Sequence, residues 1–430
     1  MEMLDIEVFE GGFKETELGP LPEEWEVVRL GEVVEKMKAG GTPRRSEKRF
    51  WGGSIPFIMI EDLTKSNLYI KDAREYITEE GLEKSNAWIV PPNSLLLSMY
   101  ATIGETAINL IPVATNQAIL GIIPKKHRLN VEFGAYLLKF HAKRLLFQNI
   151  QTTQKNINKG IVENFLIPLP PLEEQKAIAG ILSTVQSAIE KTEKVINALK
   201  NLKKSMMKHL FTYGPVAEEE AEKVELKETE IGLIPKHWEV VRLGEVVKII
   251  KGKKPRTLNE SPSKNSLPYL TAEYFRYGVP KQFVDIEVEK DLPICKKEDV
   301  VLIWDGSKAG QVFTGLEGVL ASTMVKIIPT INNLDKLYLY CFLTTKFDYL
   351  NSQTTGSTIP HVNKTAFFNL PLPLPLLEEQ QKIAQILQSI DQRIEKEEKY
   401  KNALQNLFKS LLHNLMTGKI RVRVKSHGED

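Results

Sequence analysis

Arginine and lysine side chains set among glycines and prolines can meet phosphates, and when rigidly placed they can read guanine edges in a major groove. Gly40–Trp51 (GGTPRRSEKRFW) is such a stretch: Arg44, Arg45, Lys48 and Arg49 sit on a Gly/Pro loop that ends in aromatics. Lys251–Arg256 (KGKKPR) is a second, with Lys253, Lys254 and Arg256. Two other loops are dense in small donors and acceptors, the groups that bind phosphates or base edges. Gln151–Asn158 (QTTQKNIN) offers Thr153, Gln154, Lys155 and Asn158; Thr354–Asn363 (TTGSTIPHVN) offers Ser357, Thr358, His361 and Asn363, with Lys364 next. A charge run is most often a solvated surface, and a polar loop is often a capped turn. Recurrence of the basic loop at the same place in two halves of the chain argues for nucleic-acid contact.

Catalytic chemistry is not visible. There is no GxxxxGK[ST] to cradle a phosphate and no GxGxxG after a strand. The seven histidines show no HExxH or other metal spacing. Glu174-Gln-Lys176 has the ExK spacing of some nucleases but no upstream carboxylate as partner. Asp305 has no paired acid, and His209 and His413 fall near helix ends, where dipole contact or solvation accounts for them. Cys295 and Cys341 are far apart without CxxC spacing, which makes zinc improbable and favours a reduced, cytoplasmic setting. The N-terminus lacks the pattern of a secretory signal, and no apolar run reaches the ~18 residues of a membrane helix. With 42% apolar and 26% charged residues the composition is that of a globular protein, and a net charge of +2 leaves room only for local basic patches.

What must position these loops is a duplicated framework. Lys14–Val34 (KETELGPLPEEWEVVRLGEVV) recurs at Lys227–Val247 (KETEIGLIPKHWEVVRLGEVV), 213 positions on, with 16 of 21 residues identical. A second pair begins at Ile167 (IPLPPLEEQKAIAGIL) and Leu372 (LPLPLLEEQQKIAQIL), 205 positions apart. The prolines exclude a helix at the entry and stiffen the approach. Glu173-Glu174 and Glu378-Glu379 place charge where a helix dipole favours it. Apolar residues then fall at steps of four and three: Ile178, Leu182, Val185, Ile189, Ile196, Leu199, Met206 and Leu210, and again Ile383, Leu387, Ile390, Ile394, Leu404, Phe408, Leu411 and Leu415. That is a coiled-coil seam. About 40 residues at 1.5 Å rise give roughly 60 Å. The expected partner of each helix is its copy, antiparallel across an internal two-fold. The polar seam residues Thr192, Lys203, Glu397 and Lys401 would then fix register.

The drifted middles, about 35–166 and 248–370, read as mixed α/β. Strand-like runs lie at Ile55–Ile60, Leu95–Tyr100, Ile119–Ile123, Val300–Trp304 and Met324–Ile328, with short helices near 131–148 and 333–350. The expected organisation is a mixed α/β domain over 1–166, a long helix over 167–213 and a solvated linker over 214–226. The same plan follows with a domain over 227–370, a long helix over 371–417 and a tail over 418–430.

Together, the W-x-x-x-x-L-G-E-V opening, the GGTP loop, the TxxxIN and IPHVN loops, PLPPLxEQ running into a long helix, and TGKI near the end resemble the DNA-specificity subunit of Type I restriction-modification enzymes. The resemblance covers essentially the whole chain, twice. It implies an α/β fold with two target-recognition domains separated by two long antiparallel coiled-coil helices. Each domain would read one half of an asymmetric, split double-stranded DNA site. The helices would fix the spacer and dock two methyltransferase subunits, and translocase-nuclease subunits would join the restriction form. It implies no catalytic site or metal here; S-adenosylmethionine, ATP and magnesium would reside on the partners. Trp304–Gly310 stands where the first half has Tyr100–Gly104, at a place where two readers should differ; Tyr100, Thr102, Trp304 and Lys308 therefore join the candidate DNA contacts. The competing readings are a coiled-coil protein adaptor without nucleic acid and an enzyme with an unrecognised site. The adaptor does not call for basic loops at matching places. Two readers of different half-sites must differ where they touch bases, so the identical WEVVRLGEVV stretches mark framework, with Trp25 and Trp238 packed. The two-fold also predicts that Met1–Phe13 meets the strand-like tail Ile420–Val424 where the other half has its 214–226 linker.

Overall fold

In the computed structural model, residues 6–147, 157–356 and 358–424 are described. The chain forms two compact units, residues 1–193 with 400–430, and residues 194–399.

In the first unit the two repeated anchors pair with each other. Glu26–Arg29, from the WEVVR stretch, runs antiparallel to Leu166–Leu169, from the proline-rich entry. Pro168 therefore lies in a strand, and Pro170 and Pro171 form the short approach between it and the helix; a two-stranded ribbon has open edges, where proline is tolerated. Trp25 is fully buried and shares one core with Ile178 and Leu182 of the first long helix and with Leu415 and Met416 of the second. A five-stranded sheet runs in the order Val34–Ala39, Ile119–Pro124, Ser94–Ser98, Thr106–Asn109, Tyr69–Ile70. Its central strand, SLLLS, is buried at every position, which is why it reads as a continuous apolar run. The helix Val131–Phe140 opens on the Asn130 cap and buries Phe133 and Leu137. A second sheet orders Ala114–Thr115, Trp51–Ile58 and Glu75–Ile77.

The second unit repeats the plan. Glu239–Arg242 pairs with Pro371–Leu374, Trp238 is fully buried, and its core takes in Ile383 and Leu387 together with Leu210. A four-stranded sheet orders Val247–Lys251, Met324–Pro329, Val300–Ile303 and Val312–Phe313, and the helix Lys336–Thr345 opens on the Asp335 cap.

The long helices are Leu172–Tyr213 and Leu377–Met416. Each packs its first turns on the domain that precedes it and lends its last turns to the core of the other unit, so domain packing and helix pairing are combined rather than exclusive. All the seam residues are buried or half-buried. Two polar seam residues reach across the pair: Lys203 to Asp391 at 2.6 Å and Lys401 to Glu193 at 3.5 Å. The other two are satisfied within their own helix, Thr192 on the Ala188 carbonyl and Glu397 on Arg393. In the second unit the pairs Lys200–Glu398 and Lys203–Asp391 run in opposite chain directions, as antiparallel helices require.

Ile6–Phe9 pairs antiparallel with Arg421–Val424, so the two ends of the described chain meet in the first unit. In the second unit the chain passes instead through Glu218–Lys223, a short 3-10 turn with no buried residue. The Glu174 carboxylate, which the sequence marks as a dipole partner and as part of an ExK spacing, is buried. It receives the Arg421 guanidinium at 2.7 and 2.9 Å and the Trp25 indole N–H at 2.9 Å. Its copy Glu379 receives Trp238 at 3.3 Å and His237 at 3.1 Å. Next to each acid lies a buried glutamine. Gln175 donates to the Arg128 and Pro170 carbonyls and accepts from the Asn130 N–H; Gln380 does the same with Asn333, Pro375 and Asp335. His209 ties its helix end to the Val216 carbonyl at 2.8 Å, and His413 packs edge-on to Phe140.

Candidate nucleic-acid interface

The GGTP loop is where it is because two glycines let backbone approach backbone. A Cβ on Gly40 would lie 2.1 Å from the Thr115 carbonyl oxygen, and one on Gly41 2.5 Å from Asn86. The Gly40 N–H donates to the Ile119 carbonyl and the Gly41 N–H to that of Thr115; the Thr42 hydroxyl reaches Gln117 at 2.5 Å. Met99 donates to the Ala118 carbonyl and Ile157 to that of Met99. The basic loop, the tip after strand Ser94–Ser98, the turn at 115–118 and Ile157, near the end of the Gln151–Asn158 stretch, therefore converge at one end of the sheet.

On this lattice Arg45 lies 3.8 Å over the Trp51 ring and pairs with Glu75 at 2.6 Å. Arg49 pairs with Glu80 at 3.0 Å and Glu47 at 3.4 Å. Arg44 and Lys48 are exposed and form no ion pair among the described residues. Tyr100 stands exposed beside Ala101, a non-glycine residue with φ of +55°, and Thr102 bonds back to Ser98. Asn158 is exposed, but its side-chain oxygen caps the helix Lys159–Glu163.

The second unit builds the same lattice. A Cβ on Gly252 would lie 2.0 Å from the Ala321 carbonyl oxygen. Gly252 donates to Met324, Lys253 to Leu320, Trp304 to Thr323, and Val362 to Trp304. These bonds make Trp304 the counterpart of Met99, not of Tyr100, which corresponds to Asp305; matching the two halves by residue type alone places them one residue out of step. Trp304 accordingly packs edge-to-face on Phe367 at 5.6 Å and is half-buried, a framework position. Asn363 caps the helix Lys364–Phe368 through its side-chain oxygen. Lys253 reaches the Asp291 carbonyl at 3.3 Å, and the Arg256 N–H is held by Glu289 at 2.8 Å. Lys254, Arg256, Lys308, Thr358 and Lys364 are exposed, while His361 bonds to Asp305 at 2.6 Å. Thr153, Gln154, Lys155 and Ser357 lie outside the described residues.

The turns Thr115–Ala118 and Leu320–Thr323, to which the basic loop and the strand tip are bonded, do not stand out in the sequence. Their signal is slight, a polar break such as Thr-Asn-Gln between two apolar runs. What the assembled groups offer is donors for phosphates and base edges. Cys295 and Cys341 are buried, and burial pushes both thiols up to about 12, far from nucleophilic. Buried His141 is held down to about 3 by desolvation and by nearby Arg144, so it stays neutral. Among the described residues no group of three or more His, Cys, Asp or Glu side chains could hold a metal ion, and no helix is long and apolar enough to cross a membrane.

The family model for the Type I restriction modification DNA specificity domain matches residues 22–201 and again 235–406. A Methanocaldococcus jannaschii protein assigned as the specificity subunit of type I restriction enzyme MjaX is 30% identical, over 96% of this chain and 98% of its own. The MjaVIII specificity subunit of the same organism is 43% identical over 184 residues, 43% of each chain. The crystal structure of the S subunit of a Type I restriction-modification system from M. genitalium is similar in fold. Its TM-score is 0.62 at 17% identity, over 91% of this chain and 96% of that one.

Proposed function

The chain belongs to the Type I restriction-modification DNA-specificity family, and from that premise we infer that each unit reads one half of a split double-stranded DNA site. As a family member it supplies recognition and not catalysis. The observation that supports the two-reader arrangement is the repeated lattice. The same backbone bonds gather a basic loop, a strand tip and a polar segment in both units, while the side chains on them differ. Identical framework with different surface is what an asymmetric site demands. In this reading Arg44 and Lys48 in the first unit, and Lys254 and Arg256 in the second, meet phosphates, while Thr42, Gln117, Tyr100 and Thr102 in the first unit and Thr358 in the second meet base edges. Methyltransferase subunits dock on the long helices, and translocase-nuclease subunits complete the restriction form. S-adenosylmethionine, ATP and magnesium are bound by those partners, in the cytoplasm where the DNA is.

Arg44→Ala with Arg45→Ala weakens DNA binding by the assembled complex and lowers the slope of log K against log salt, by about one unit for each phosphate that is no longer neutralised. A slope measured by titration at several salt concentrations and found unchanged would return both residues to the solvated surface. Arg45, tied to Glu75 and Trp51, contributes less than Arg44. Equal insertions of a few residues into both long helices lengthen the unspecified spacer between the half-sites, since the helices act as the ruler. Mapping the methylated sites of the variant tests this, and an unaltered spacer removes the ruler role.

A further inference from the structure

At the strand tip of the second unit three polar side chains from three different segments meet, and the framework does not need them. We propose that Lys251, Asp305 and His361 are the specificity-determining element of the second unit, in which Asp305 positions Lys251 and His361 to read a G·C pair. The proposal rests on the reading that this unit contacts DNA.

The Asp305 carboxylate receives His361 Nδ1 at 2.6 Å on one oxygen and Lys251 Nζ at 3.0 Å on the other. Its side chain is 12% exposed, while those of Lys251 and His361 are 55% and 48% exposed. The acid thus lies beneath and the two partners above. A carboxylate facing a phosphate backbone would be repelled; covered by two partners, it fixes their direction instead. In the tautomer whose Nδ1–H donates to Asp305, Nε2 carries the ring's free lone pair and accepts. Lys251 keeps two of its three N–H donors. Two donors beside one acceptor match the acceptor–acceptor–donor order of the G·C major-groove edge, N7 and O6 of guanine and the N4 amino group of cytosine, whereas A·T presents acceptor, donor, acceptor and calls for the acceptor between two donors.

Backbone hydrogen bonds tie down the segments that carry these three residues. Lys251 ends the strand Val247–Lys251, directly before Gly252, whose contact with Ala321 admits no side chain. His361 exchanges two backbone bonds with Thr355, the Gly306 N–H donates to Pro360, and Val362 is held by Trp304. Gly356 turns this small loop with a φ of +97°, where a Cβ would meet the Ile359 carbonyl oxygen at 2.6 Å. In the first unit the same lattice positions carry Ala39 and Tyr100 in place of Lys251 and Asp305. The two units therefore present different chemistry at one equivalent place, as readers of different bases should.

The test uses the full chain co-expressed with its methyltransferase subunits in a host without other adenine methylation, and maps methylated adenines across the genome. The wild type should show a split motif with a G·C pair in the half read by the second unit. Asp305→Asn and Lys251→Met, on different elements, should both relax that same base pair, with discrimination falling on the order of 10- to 100-fold, and leave the other half unchanged. Lys251 is exposed, so its variant keeps the fold even if Asp305→Asn does not. An intact split motif with both variants unaltered overturns this inference alone. So does a uniform loss of methylation at all sites, which marks phosphate contacts only, or relaxation at an A·T pair. A wild type without a split motif overturns the two-reader function as well.

Discussion

Glu174→Ala should destabilise the first unit by about 3–5 kcal/mol, the cost of leaving a buried guanidinium without its partner. Glu174 and Arg421 have side chains only 3% and 4% exposed, and two N–H groups of Arg421 grip the two carboxylate oxygens. That carboxylate also holds the arginine's charged form firmly in place, alongside Glu24. The matched change Glu379→Ala removes a weaker set, an indole bond of 3.3 Å and an exposed histidine, worth about 1–2 kcal/mol. Urea unfolding of the two variants, with hydrogen exchange on the strands Ile6–Phe9 and Arg421–Val424 to report the first unit, separates them. Equal losses would mean that Arg421 finds enough compensation in Glu24, and the closure of the chain ends would then rest on the strand pair alone.

This asymmetry shows what the sequence could and could not convey. The two anchors were legible as framework because they are repeated, and both tryptophans are indeed fully buried. That the anchors touch was not legible, because pairing between Glu26–Arg29 and Leu166–Leu169 spans most of a domain and leaves no local periodicity. The apolar seams were legible since a period of three and a half residues is a local signal. That Glu174 is buried was not, since a glutamate in a first helical turn looks the same whether it faces water or an arginine 247 positions away. In the recognition loops, residue type pointed to the right segments but not to which atoms are free. Asn158 and Asn363 look like base readers and cap helices; Trp304 looks like a stacking residue and fills the slot of Met99. Drift between the halves hides that register, and only backbone hydrogen bonds restore it.

Exchanging the first recognition segment for that of another family member is expected to replace one half of the methylated motif and leave the other half and the spacer as they were. The framework allows this because it holds the variable domain by groups that every sequence has. Gln175 grips the domain through the Arg128 carbonyl and the Asn130 N–H, and Gln380 grips the other through the Asn333 carbonyl and the Asp335 N–H. Backbone contacts are indifferent to side-chain identity, so a new domain with the same backbone seats on the same helix start. The structure also sets the cut. Leu166–Leu169 pairs with Glu26–Arg29, and the Phe165 carbonyl accepts from the Leu30 N–H, so the exchange should span 35–164 rather than 35–166 and keep that ribbon native. Methylated-base mapping of the chimera decides the matter. A motif changed in both halves would mean that the units do not read independently, and a motif changed in neither would place base recognition outside the drifted segment.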